Sequence, residues 1–225
     1  IYVDAKTGEI IGRQDLIHTA DVQGSATTRY SGVRKITTDQ VSSSSYRLRE
    51  TGRGNGIQTM NAKKTTSTAG ATDFTDTDND WNNVNANMDE AATDAHWATE
   101  MTYDYYKNVH NRNSIDGNGF KLINYVHWDQ NLFNAFWNGQ YMAYGDGTGK
   151  GPLTAVDVGA HEMTHGLTSN TAALNYSGES GALNESFSDI FGACVEVYGK
   201  GTAGEWTVGE DFQTIRDMKN PGAFS

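Results

Sequence analysis

The stretch His161-Glu162-Met163-Thr164-His165 sits inside an otherwise largely apolar run from Val156 to Leu167. It fits the spacing H-E-x-x-H. On a helix, residues four apart share a face, so both imidazoles can meet one metal ion. Glu162 then stands beside the attacking water. Burying His, Glu and His in a helix otherwise fit for a core costs desolvation unless a metal compensates. A catalytic zinc takes three protein ligands and leaves one position open. The candidate third ligand is Glu185, in the run Gly181-Ala182-Leu183-Asn184-Glu185-Ser186-Phe187-Ser188-Asp189. Asp189, four residues on, shares the helical face of Glu185 and can accept a hydrogen bond from the far nitrogen of one zinc histidine; Asn184 can do so for the other. Read as accident, the motif would be two surface histidines and a salt-bridging glutamate. The apolar setting and the second carboxylate helix weigh against that.

Around this core the pattern predicts helices at about 154–170 and 178–198, and an earlier one over 90–110. There Ala92, Ala95, Met101, Tyr105 and Val109 are spaced for one apolar side. Residues 120–128 and 141–144 read as strands. Residues 33–72 hold short Thr/Ser/Val-rich runs broken by Gly52, Gly54 and Gly56, as antiparallel strands do. Residues 73–90 read as an Asp/Asn-rich loop. Residues 1–13 (IYVDAKTGEIIGR) read as a hairpin turning at Lys6-Thr7-Gly8, and 19–32 as a small, polar linker.

The 225 residues suffice for one large domain or two small lobes. A net charge of -11 disfavours nucleic acid, whose phosphates would be repelled, and an anionic membrane surface. It suits calcium, which collects carboxylates. The single cysteine, Cys194, cannot form an intrachain disulfide, and its small, apolar neighbours describe an inert buried thiol.

The run HEMTHGLTSNTAALNYSGESGALNESFSDIFG (161–192) strongly resembles the thermolysin family of zinc metallopeptidases. The likeness extends to MTYDYYKNVH (101–110), NAFWNG (134–139), MAYGDG (142–147), GEDF (209–212) and IRDM (215–218). It covers roughly residues 25–225, and residues 1–18 resemble the end of that family's propeptide. The fold it implies is α+β: a propeptide tail at 1–18, a β-rich N-terminal lobe at 19–153, and the active-site helices at 154–225. The family's C-terminal helical lobe, with a further catalytic histidine, is expected to be largely missing.

The resemblance implies that His161, His165 and Glu185 hold one zinc. Glu162 would be the general base and Tyr176 the donor to the tetrahedral oxyanion. Asn134 and the Ala135 carbonyl would pair with the substrate, and Arg216 would bind a substrate carbonyl. Asp157, Glu196, Glu205 and Glu210 match carboxylates around calcium; Thr207 stands where two-calcium members carry another carboxylate, so a full double site is in doubt. Asp76, Asp78 and Asp80 resemble a further calcium site. The activity implied is that of a secreted neutral endopeptidase, cutting internal bonds before hydrophobic residues with Glu-assisted attack of water activated at zinc. The alternative is a non-catalytic homologue, or a zinc- and calcium-binding fragment that does not turn over by itself. The partners implied are polypeptide substrates, its own propeptide and the missing C-terminal lobe. Maturation is expected between His18 and Thr19, where Leu16 and Ile17 can fill apolar subsites.

Overall fold

The computed structural model describes residues 2–12, 20–82, 84–85, 88–202 and 204–224. The chain opens with a two-stranded antiparallel ribbon, β1 (Tyr2–Val3) and β2 (Ile10–Gly12). The Asp4 carboxylate caps its turn by accepting the backbone N–H groups of Lys6 and Thr7. The expected hairpin is therefore present. The expected cleavage point between His18 and Thr19 lies outside the described residues.

Next come β3 (Ala20–Thr27), β4 (Val33–Ser42), β5 (Ser45–Arg47), β6 (Arg49–Glu50) and β7 (Ile57–Thr65). The short strands β8 (Thr72–Asp73), β9 (Thr75–Asp76) and β10 (Asp80–Trp81) follow. After α1 (Glu90–His110) come β11 (Leu122–Trp128), β12 (Ala135–Trp137) and β13 (Met142–Tyr144). Two helices, α2 (Val156–Ser169) and α3 (Gly178–Lys200), precede the ribbon β14 (Thr207–Val208) and β15 (Arg216–Asp217).

One sheet has the order β10-β3-β4-β5-β9; the other runs β12-β13-β11-β7-β6, with β8 added beside β7. Residues 20–27 are thus not a linker. They pair with β4 in full antiparallel register, from Ala20 opposite Gln40 to Thr27 opposite Val33. Gly24 at least is kept small by packing: a Cβ there would stand 2.5 Å from Asn79 Oδ1. β12 is an edge strand, antiparallel to β13 on one side and open on the other.

Helix α1 runs through the middle, against β7, β11 and α2. Its first half is buried on every side, including Glu90, Asp94, His96 and Glu100, so a single apolar stripe understates it. Val109 faces solvent instead of the core. Three of these buried polar groups have close partners. Asp94 accepts the Arg29 and Tyr30 N–H groups, and Glu100 meets Arg53 at 2.9 Å. His96 lies between the Thr37 carbonyl (2.9 Å) and the Thr59 hydroxyl (3.0 Å).

Helices α2 and α3 pack closely because of a glycine. A Cβ on Gly192 would come within 2.7 Å of the Asp157 carbonyl oxygen. Gly201 ends α3 in the left-handed conformation, its N–H bonded to the Val197 carbonyl, a conformation glycine adopts without strain. No described helix is long and apolar enough to cross a membrane.

Candidate metal centre

His161 and His165 project from one face of α2, with rings perpendicular and centroids 4.6 Å apart. Their Nε2 atoms lie 2.9 Å from each other. Glu185, from α3, brings one carboxylate oxygen to 3.3 Å from His161 Nε2 and the other to 3.5 Å from His165 Nε2. Among the described residues, these three are the one group of His, Cys, Asp or Glu whose ligand atoms converge within 4.8 Å. Ligands at 2.0–2.1 Å from a tetrahedral zinc stand about 3.3 Å apart. The observed spacings scatter around that value.

The far sides of both rings are tied down. His161 Nδ1 donates to Asp189 Oδ1 at 2.8 Å, and His165 Nδ1 to Asn184 Oδ1 at 2.8 Å. With both Nδ1 atoms committed outward, the two Nε2 atoms face each other and a carboxylate. Positive charge at the centre, carried by a metal ion or a proton, favours that arrangement. Burial works against charge on His161, yet the carboxylates of Asp189 and Glu185 outweigh it and hold its pKa up at about 9. A hydrogen bond from His161 holds the Glu185 pKa below the ordinary range. Burial would raise that of Asp189, but His161 and Arg216 bring it below its usual value. Arg216, on β15, grips Asp189 with two bonds of 2.7 Å. It therefore supports a histidine partner, and Arg216 also lines the cleft.

Glu162 is not among the converging ligands. It is buried, burial raises its pKa, and its Oε2 accepts the Trp137 backbone N–H at 2.9 Å. That bond ties Glu162 to edge strand β12. A cleft of about 580 Å³ joins the metal ligands and Glu162 to Asn134, Ala135, Tyr176 and Arg216. Tyr176 is exposed, and its hydroxyl donates to Glu185 Oε1. Leu153, Val158, Val208 and Ile215 supply an apolar wall.

The residues expected at calcium separate into two groups. Asp157 is buried at the start of α2. Its Oδ2 accepts the Gly209 N–H, and its Oδ1 has no partner. Burial raises its pKa to about 6, and Glu210 and Asp211 oppose its charge further. Glu196 is likewise held up at about 7 by burial and by Asp157. Glu210 Oε2 and Thr207 Oγ1 are also buried without partners. The charges of Asp157, Glu196 and Glu210 thus oppose one another, although no three of these carboxylates bring ligand atoms within 4.8 Å of each other, and Glu205 lies exposed. The carboxylates of Asp76, Asp78 and Asp80 do not converge. Asp76 Oδ1 is instead used by the N–H groups of Asp78 and Asn79, and Asp78 Oδ1 by that of Asp80.

Four contributors escape a reading of sequence. The Trp137 N–H is a backbone donor and leaves no compositional trace. Ser188, 3.1 Å from His165 Nδ1, is four residues after Asn184 and could have been found by helical spacing. Lys200 pairs with Glu196 at the i,i+4 spacing, which the sequence does display. Asp211 is visible only through its contact with Lys200. Cys194 is half-buried.

Residues 23–169 match the family described as thermolysin metallopeptidase, catalytic domain, and residues 172–225 match thermolysin metallopeptidase, alpha-helical domain. A bacillolysin from Brevibacillus brevis is 42% identical over 99% of this chain and 41% of its own length. A transglutaminase-activating metalloprotease from Streptomyces mobaraensis is 44% identical over 98% of this chain and 30% of its own length. The chain thus spans less than half the length of these curated relatives. Among solved structures, the precursor of protealysin, a metalloproteinase from Serratia proteamaculans, is similar with a TM-score of 0.63 and 32% identity. That match covers 72% of this chain and 52% of the other.

Proposed function

The chain belongs to the thermolysin family of metallopeptidases, and from that premise we propose that it carries the zinc centre of a secreted endopeptidase. The observation that carries this reading is the pair of histidines whose outer nitrogens are committed to Asp189 and Asn184 while their inner nitrogens converge with Glu185. His161, His165 and Glu185 would hold zinc. Bound there, zinc supplies Lewis-acid polarisation of a peptide carbonyl and acidifies the attacking water to a pKa of about 7.

The chain's own residues supply the rest. Glu162 is positioned by the Trp137 N–H, which occupies one carboxylate oxygen. The other oxygen is the proton acceptor for the attacking water and then the donor to the leaving amine. An extended peptide adds to the open edge of β12, so the strand that aligns the substrate also anchors the base. Asn134 and the Ala135 carbonyl lie beside the leaving amine. Tyr176 brings a phenolic donor to the mouth of the cleft, where such donors contribute about 2.7–4 kcal/mol to an oxyanion. Arg216 orients Asp189, and through it His161, and presents its guanidinium to a substrate carbonyl. The wall of Leu153, Val158, Val208 and Ile215 favours an apolar substrate side chain.

The unpartnered oxygens of Asp157, Glu210 and Thr207, beside Glu196, suit a hard cation, and calcium is the ion proposed there. Residues 1–18 are proposed as the end of a propeptide removed between His18 and Thr19, in a zymogen like the precursor that the structural neighbour is titled as. Retention of a base beside three ligands speaks against a non-catalytic homologue, because a purely structural zinc needs no base.

The test is Glu162→Gln in the protein that carries this chain. Zinc content should stay at one per chain, while kcat for peptide hydrolysis falls by about 10²-fold or more. Turnover close to that of the unsubstituted enzyme would remove Glu162 from the mechanism.

A further inference from the structure

One positive charge beside the cleft is not committed to a carboxylate. Arg29, Arg53, Lys200 and Arg216 each meet an acidic side chain. Lys150 meets a neutral amide instead: its Nζ donates to Gln213 Oε1, and no carboxylate among the described residues pairs with it. The same Nζ lies 5.4 Å from the centroid of the Phe133 ring, whose electron-rich face attracts a cation. Phe133 is 38% exposed and lines the cleft, as does Ile215, two residues after Gln213. The ammonium therefore sits at the rim of the cleft, between two of its walls.

Packing fixes the segment that presents this lysine. The Gly147 N–H donates to the Leu132 carbonyl at 2.9 Å. A Cβ on Gly147 would stand 2.5 Å from the Gly151 carbonyl oxygen, so the turn around Lys150 is tightly closed. Tyr30 donates its hydroxyl to the Pro152 carbonyl at 2.8 Å and packs on Phe212. Phe212 in turn meets the Phe133 ring edge-on, with centroids 6.2 Å apart. Phe133 and the backbone carrying Lys150 are thus held by the same set of contacts.

We propose that Lys150 selects substrates with an acidic side chain on the second residue after the cut. The inference rests on the proposed function, in which a peptide lies along β12 and Asn134 and the Ala135 carbonyl mark the leaving amine. A peptide antiparallel to β12 advances from Trp137 toward Phe133. Its first residue after the cut turns toward the wall of Leu153, Val158, Val208 and Ile215. Side chains alternate along an extended chain that rises about 3.3 Å per residue. The second residue therefore turns away from that wall and comes abreast of Phe133, where the ammonium stands. A carboxylate arriving there replaces the Gln213 amide as partner. Gln213 is neutral, so its release leaves no charge unpaired.

The experiment uses peptides with leucine after the cut and Glu, Gln or Lys as the next residue. All are extended beyond that residue and amidated, so the carboxylate tested is the side chain's. In the protein that carries this chain, kcat/KM should favour Glu over Gln by about 3-fold, the scale of an exposed ion pair. Lys150→Gln should bring that ratio to about 1, and Lys150→Arg, which keeps the charge, should preserve it. Lys150→Glu should reverse the preference in favour of the Lys peptide. With the Glu moved to the residue before the cut, the rate should not depend on Lys150. A Glu-to-Gln ratio that is the same with and without Lys150, or that survives Lys150→Glu, would overturn the proposal. Binding of the same peptides to the Glu162→Gln protein, with and without Lys150→Gln, reads the preference by fluorescence anisotropy without turnover. Lys150-dependent binding of the Glu peptide in a protein that cuts none of them would sink the endopeptidase reading and leave the role of Lys150 standing. Cleavage indifferent to Lys150 would do the reverse.

Discussion

At the scale of single residues, this protein repeatedly places polar groups where water cannot reach them and then supplies specific partners. His96 is the clearest case outside the metal centre. It is fully buried, and its Nε2 donates to the Thr37 carbonyl while Nδ1 accepts the Thr59 hydroxyl. Burial pushes its pKa down to about 4, with Arg53 adding to the effect. The unfolded chain takes up a proton below about pH 6.5, but the folded chain does not do so until about pH 4. Stability from this group is therefore full above pH 6.5 and is lost as pH falls toward 4, at about 1.4 kcal/mol per pH unit. The stability difference between the unsubstituted chain and His96→Gln, followed by urea unfolding, should shrink by that slope between pH 6.5 and 4. A difference that stays constant across the window would show that the ring takes up its proton in the fold as readily as in the unfolded chain. The partners at the metal centre vary in how openly the sequence displays them. Asp189 is legible from its helical spacing against Glu185, and Asn184 from its place in the same helical run. The Trp137 N–H was not, because a backbone donor has no residue type to announce it.

At the scale of elements, two close helices make the centre. His161 and His165 come from α2 and Glu185 from α3, so ligand spacing depends on the distance between the helices. Gly192 sets that distance, since any Cβ there meets the Asp157 carbonyl oxygen at 2.7 Å. The obstacle is backbone, which cannot swing aside as a long side chain can. Gly192→Ala should cost about 1–3 kcal/mol in urea unfolding, the range for overpacking. It should also weaken zinc binding measured by competition with a chromogenic chelator. Unchanged zinc affinity in a folded Gly192→Ala protein would show that the helices tolerate separation. The helices themselves were legible: α1 spans the predicted 90–110, and α2 and α3 end within two residues of their expected limits. The failure was β3. Its residues, Ala, Gly, Ser and Thr among them, read as a linker because linkers and tightly packed strands both favour small side chains. Only the neighbouring Asn79, 55 residues beyond Gly24, distinguishes the two.

At the scale of the whole molecule, the two sheets and the central α1 form the frame on which α2 rests, and β12 brings a sheet edge to the base. This α+β architecture follows the sequence in outline: strand-rich up to residue 81, then helices interleaved with a few strands. The distribution of charge is less legible. The net charge of -11 predicts acidic sites somewhere, but not which carboxylates converge. Asp76, Asp78 and Asp80 alternate in sequence like ligands, yet their oxygens are spent on backbone N–H groups of their own loop. Asp157, Glu196 and Glu210 are up to 53 residues apart, yet their charges oppose one another in the fold. Alternation in a loop also makes turns, whereas convergence of distant residues requires the fold. The central claim is that this fold assembles one zinc centre from two imidazoles and one carboxylate. X-ray absorption at the zinc K-edge tests it most directly, on the chain loaded with one zinc and on Glu185→Ala. The account predicts two imidazole nitrogens and a carboxylate oxygen at about 2.0–2.2 Å, with the carboxylate lost in the variant. A shell without two imidazoles, or one unchanged by Glu185→Ala, would contradict it.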